Sequence, residues 1–107
     1  MKNFINSCVF ASFFIAASPH IQAQDIMVDG KKLFAQAVPA CSICHAMAHA
    51  GSVGEVGPSL DELKPDAARV AKALRNGIGQ MPAFKTLTEA QVTLLSNYVA
   101  AATGAGK

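Results

Sequence analysis

The sequence has no tryptophan, a single tyrosine and only 15% charged residues. Its composition and charge exclude several classes of protein. Nine basic and seven acidic residues leave a net charge of +2, which is too balanced for nucleic-acid binding along a basic face. No apolar run reaches the roughly 20 residues of a membrane-spanning helix, so stable membrane insertion is not expected. Hydrophobic residues make up 51% of the 107 residues, which excludes intrinsic disorder and indicates one domain.

The N-terminus has the pattern of a secretory signal peptide. Lys2 precedes an apolar run at residues 8–17, and Ala23 offers a small residue for cleavage. We therefore predict a signal peptide at 1–23, cleaved near Ala23, and an exported, periplasmic domain at 24–107. The alternative is an uncleaved N-terminal anchor, although the run is short for a membrane span.

The predicted domain has few large apolar side chains with which to form a hydrophobic core. Removing residues 1–23 takes away four of the six phenylalanines and one of the three cysteines. Domains of this size are marginally stable unless a metal, disulfides or another staple supports them. A large apolar cofactor would fill the same need.

The domain carries helix signals and no alternating strand pattern. Asp29 would cap a first helix, Pro65 would open a third, and Thr88 with Gln91 forms a capping box before a fourth. The predicted helical segments are 28–36, 41–50, 65–76 and 89–101. The sequence therefore predicts an all-α domain.

A C-x-x-C-H motif stands at residues 41–45, and this motif attaches haem c. Cys41 and Cys44, three residues apart on a helical turn, can each add to one haem vinyl group and form a thioether. His45 follows directly and can bind the iron, since imidazole is a strong axial ligand. The alternatives are a thioredoxin-like dithiol, half of a zinc site with His49, and a structural disulfide. Export and the helical pattern favour one covalently attached haem c.

A second axial ligand must come from elsewhere in the chain. Met47 and His49 follow His45 too closely to reach the opposite haem face, and Met27 lies near the start of the exported domain. Met81, in a loop with Gly79 and Pro82, can wrap to that face. We predict Met81 as the sixth ligand; the alternative is a core methionine that fills a gap.

These landmarks together resemble a small bacterial monohaem class I cytochrome c. In chain order they are Gly30, Phe34, the motif at 41–45, the segments 57–60 and 79–82, and Tyr98. The resemblance implies three to four helices wrapped around one covalently bound haem. It also implies that the first and last helices cross at Gly30, and that the Pro58 carbonyl accepts a hydrogen bond from the His45 ring. We count Pro58 among the cofactor-binding residues for that reason.

The resemblance implies a function in electron transfer and not catalysis. The chain would accept one electron at a time from a periplasmic dehydrogenase and pass it to a respiratory oxidase or another cytochrome. Segments 56–66 and 76–82 are similar to cytochromes that accept electrons from bacterial sulfite dehydrogenases. The alternatives are a haem protein with an open sixth site, acting as a ligand sensor or weak peroxidase, and a haemless thiol oxidoreductase.

Two further expectations concern the surface. Asp61 and Glu62 are adjacent acids that do not face each other on a helix, and we expect both to be solvated charges. An apolar rim is expected around the exposed haem edge, where partners dock; its candidates are Ile43, Ala46, Met47 and Ala83.

Overall fold

The computed structural model of the chain describes residues 11–16 and 20–105. The elements in chain order are α1 (His20–Gln36), α2 (Cys41–Cys44), β1 (Ala46–Met47), a 3₁₀ turn (Ala48–Ala50), β2 (Ser52–Val53), α3 (Leu60–Leu63), α4 (Ala67–Asn76) and α5 (Glu89–Thr103). Within those described residues, no helix has both the length and the apolar character that crossing a membrane requires. Residues 1–10 and 17–19 of the predicted signal peptide lie outside the described residues, and the predicted cleavage point falls within α1.

The helix predicted at 41–50 is wrong beyond its first turn. After α2 the chain forms an antiparallel hairpin in which Ala46 pairs with Val53 and Met47 with Ser52. Gly51 adopts the left-handed conformation, with φ of 66°, and so permits the reversal. The Ser52 hydroxyl donates to the His45 carbonyl across 2.8 Å, which ties the hairpin to the end of the C-x-x-C-H motif.

Two helix starts also differ from the prediction. α1 begins at His20, so Asp29 lies inside the helix and does not cap it. Pro65 precedes α4, and Asp66 is the N-cap, because its carboxylate accepts from the Arg69 backbone N–H across 2.7 Å.

Asp61 has a structural role that was not predicted from the sequence. Its carboxylate accepts a hydrogen bond from the backbone N–H of Ala48 across 2.7 Å. This contact joins α3 to the 3₁₀ turn, thirteen residues earlier in the chain. The expectation of a merely solvated charge is therefore wrong for Asp61.

The core forms where α1 crosses α5. Phe34 and Tyr98 are almost completely buried there, and their rings meet edge to face with centroids 6.1 Å apart. A Cβ on Gly30 would lie 2.3 Å from the Tyr98 Cβ, so only glycine allows the two helices to approach this closely. The predicted crossing at Gly30 is what the structure shows.

Tyr98 also joins α5 to the 3₁₀ turn. Its hydroxyl lies 2.9 Å from Nδ1 of His49. Burial raises the pKa of Tyr98 to about 12, so the phenol keeps its proton at neutral pH and can donate to that nitrogen.

We expect Tyr98→Phe to lower the free energy of unfolding by about 1 kcal/mol, the net value of one hydrogen bond. The ring contact with Phe34 would remain, so the loss reports the hydroxyl alone. Denaturant unfolding measures it. His49→Ala added to Tyr98→Phe should cost much less than His49→Ala alone; additive losses would show that the two side chains are not coupled.

Candidate functional site

A cavity of about 540 Å³ lies beside the C-x-x-C-H motif. Its volume is within the range of small-molecule and cofactor sites, roughly 300–1,000 Å³. Aliphatic and aromatic side chains from α1, α3, α4 and α5 form most of its wall, among them Phe34, Leu60, Leu74 and Leu95. The five predicted cofactor-binding residues all line it: Cys41, Cys44, His45, Pro58 and Met81.

The two cysteines of α2 are brought to the cavity by a single helical turn. The spacing of three residues puts both side chains on one side of that turn, and no disulfide joins them. Burial raises the pKa of the Cys41 thiol to about 11, and the nearby Cys44 adds a smaller effect in the same direction. Reactive redox dithiols need a lowered thiol pKa, so the shift at Cys41 disfavours the thioredoxin-like alternative.

The His45 ring is held in one orientation. Its Nδ1 lies 2.8 Å from the Pro58 carbonyl oxygen, which can only accept, so Nδ1 carries the proton. Nε2 is then the nitrogen available to a metal. A Cβ on Gly57 would stand 2.5 Å from His45 Cε1, so this glycine lets the 57–58 segment lie against the ring.

Met81 reaches the cavity on a loop whose shape two glycines set. Gly77 ends α4 with φ of 69°, and Gly79 follows with φ of 56°. Ile78 and Met81 exchange both backbone hydrogen bonds, at 3.0 and 2.9 Å, and so fix the Met81 backbone. The Met81 side chain is partly buried and lines the same cavity as His45.

The other candidates for the sixth ligand lie away from the cavity. Met47 is completely buried in the core, and Met27 packs against that core in α1. His49 is bonded to Tyr98. None of the three lines the cavity, whereas Met81 does.

The burial of Met47 also removes it from the predicted apolar rim. Ile43, by contrast, is 63% exposed directly between the two cysteines. Ala46 and Ala83 are partly buried. The zinc alternative lacks a ligand set, because within residues 11–16 and 20–105 no three His, Cys, Asp or Glu side chains come together to hold a metal.

This apolar cavity also has a polar edge, which was not predicted from the sequence. Arg69, Lys72 and Asn76 line it from α4, and Gln80 lines it from the loop before Met81. Their spacing along α4, three and then four residues, is that of one helix side and is visible in the sequence. The sequence does not reveal which side of α4 meets the cavity.

Comparisons with known proteins agree with this geometry. A family model described as cytochrome c oxidase, cbb3-type, subunit III, matches residues 26–99. The crystal structure of the c-type cytochrome SorU from Sinorhizobium meliloti is 46% identical, with a TM-score of 0.73, and the match covers 76% of this chain and 94% of that chain. No curated protein sequence matches the chain.

The mostly helical fold and its C-x-x-C-H cavity define a class I cytochrome c. Within that class, the chain belongs to the cytochrome c family whose model matches residues 26–99. The family supports a role in electron transfer, and it implies haem c as cofactor. The cavity fits such a group, because thiols, an oriented imidazole and a thioether line a mostly apolar space.

Proposed function

We propose that the chain is a periplasmic one-electron carrier with one covalently attached haem c. Cys41 and Cys44 would hold the haem through two thioethers, and His45 and Met81 would bind its iron. The observation that supports this most directly is that all four side chains line one mostly apolar cavity of about 540 Å³.

Each residue has a definite task in this proposal. When bound, haem supplies an iron that gains and loses one electron. His45 presents Nε2, because the Pro58 carbonyl holds the proton on Nδ1 and so fixes the tautomer. A thioether from Met81 would favour the ferrous state and raise the potential. If His45 and Met81 both held the iron in its two oxidation states, little in the protein would have to rearrange on electron transfer.

Partners would dock where the cysteines approach the surface. Ile43 is 63% exposed there, between Cys41 and Cys44, and offers an apolar contact. Contacts between redox proteins are small and weak, which suits rapid exchange of partners. The donor we propose is a periplasmic dehydrogenase, with a sulfite dehydrogenase as the first candidate because of segments 56–66 and 76–82. The acceptor would be a respiratory oxidase or another cytochrome.

The visible spectrum of the exported protein, produced with haem-maturation enzymes, tests the ligand set. We expect haem that stays attached after denaturation, a low-spin reduced spectrum, and the weak far-red band of sulfur ligation when oxidised. Haem that is high-spin and binds added carbon monoxide would favour the open-site sensor or peroxidase. A protein without haem would contradict the proposal.

Electron donation is tested with the same material. Sulfite plus a sulfite dehydrogenase should reduce the haem, and omission of sulfite is the control. Reduction by other periplasmic dehydrogenases, but not by sulfite dehydrogenase, would support the electron-carrier function and exclude sulfite dehydrogenase as the donor.

A further inference from the structure

The charged side chains that line the cavity are both cations. Arg69 and Lys72, on α4, are the charged residues among those that form its wall. The acids nearest to them in sequence, Asp61, Glu62 and Asp66, do not line it. The cavity thus has an apolar interior and a positive edge.

The two cations are accessible and unpaired. Both residues are exposed although they line the cavity, whereas Leu74 on the same helix is buried. Long cationic side chains commonly lay their apolar stems along such a wall and keep the charged group in water. Among residues 11–16 and 20–105 the ion pair that forms is Arg75 with Glu89, at 2.7 Å. Neither Arg69 nor Lys72 is therefore neutralised by a carboxylate of the described chain.

Haem, the group proposed for this cavity, has a distribution of apolar and charged atoms that complements the cavity wall. A haem has a wide apolar ring and two carboxylates on one edge. The ring suits the apolar wall, and the carboxylates need water or cations near them, because burying an unpaired charge is costly. Arginine and lysine both bind carboxylates, arginine with two parallel hydrogen bonds.

We propose that Arg69 and Lys72 bind the two haem carboxylates and thereby raise the reduction potential of the iron. The inference rests on the proposed function, since it requires haem in this cavity. Oxidation adds a positive charge at the iron, and nearby cations oppose that change. They also hold the carboxylates ionised to lower pH. Arg69 and Lys72 are thus positioning residues that set the potential without touching the iron.

The test uses the haem-loaded protein and the variants Arg69→Gln, Lys72→Gln and the double variant. At a fixed ambient potential, we expect each single variant to lower the ratio of reduced to oxidised protein by about threefold or more. Because both side chains are exposed, the effect should shrink as salt is added. The pH range in which the potential varies should move upward, since a carboxylate that loses its cation binds protons more readily.

Arg75→Gln is the matched control. It removes the same charge from the same helix, but Arg75 pairs with Glu89 and does not line the cavity. We expect it to leave the ratio nearly unchanged. Arg69→Lys keeps the charge and should have a reduction potential close to that of the wild type. It serves as the test if Arg69→Gln does not assemble with haem.

The results separate the two proposals. A normal haem spectrum with equal potentials for Arg69→Gln, Lys72→Gln and Arg75→Gln would overturn the role of the two cations and leave the proposed function intact. The same holds if Arg69→Lys shifts the potential as far as Arg69→Gln. A wild-type protein without haem would instead contradict the proposed function itself.

Discussion

Gly30→Ala is expected to lower the free energy of unfolding by about 2–3 kcal/mol, as overpacking of a well-filled core does. The added Cβ would lie 2.3 Å from Tyr98 Cβ and 2.4 Å from its Cγ. Tyr98 is fully buried, and its Cβ is fixed by the backbone, so no side-chain rotation relieves the contact. α1 and α5 would have to separate. Unfolding in guanidinium chloride measures the loss.

Helix propensity predicts the opposite sign for this substitution. Alanine is more favourable than glycine in a helix interior by roughly 0.5–1 kcal/mol. The contact with Tyr98 should outweigh this gain. Lys31→Ala, at an exposed neighbour on α1, is the control and should change stability by less than about 0.5 kcal/mol. A Gly30→Ala variant as stable as the wild type would show that the helices need not meet so closely.

Local chemistry was enough to predict some helix ends. Thr88 and Gln91 form the expected capping box, with reciprocal hydrogen bonds of 2.9 and 3.1 Å. Gly77 closes α4, where its backbone N–H donates to the Ala73 carbonyl, and glycine is the residue typical of that position. Each of these features depends on residues within four positions of each other, so it can be recognised from the sequence alone.

The hairpin after α2 could not be predicted in this way. It is held by contacts with distant residues: Asp61 bonds the Ala48 backbone from thirteen residues away, and Met47 is buried in the core. Its strands have two residues each, too few to produce an alternating pattern. Tertiary contacts decide the structure here, and the local sequence does not record them.

The features of the site differ in the same way: some are local in the sequence, and others depend on tertiary packing. The motif at 41–45 is continuous in sequence and could be recognised at once, whereas the hydrogen bond from His45 to Pro58 spans thirteen residues and was expected only from the family resemblance. Arg69 and Lys72 share a helix side that the sequence shows, but only the packing of α4 reveals that this side borders the cavity.

Met81→Ala is expected to produce the largest functional effect. Removing the thioether should abolish the far-red band of the oxidised protein, let carbon monoxide bind the reduced form, and lower the midpoint potential on the order of 0.1 V, within the range that axial ligands span. Visible spectroscopy and a redox titration of the haem-loaded protein measure these changes. The Met81 backbone should keep its place, because its hydrogen bonds with Ile78 use no side-chain atom.

Met27→Ala is the matched control, since it removes the same side chain from a partly buried site on α1 that does not line the cavity. It should lower stability yet keep the far-red band and the potential. Met81→His separates the presence of a sixth ligand from its chemistry: imidazole should keep the iron low-spin and closed to carbon monoxide, but without the band and at a lower potential. If Met81→Ala retained the band, the sulfur ligand would have to be another methionine, and the loop of residues 77–82 would serve only to close the cavity.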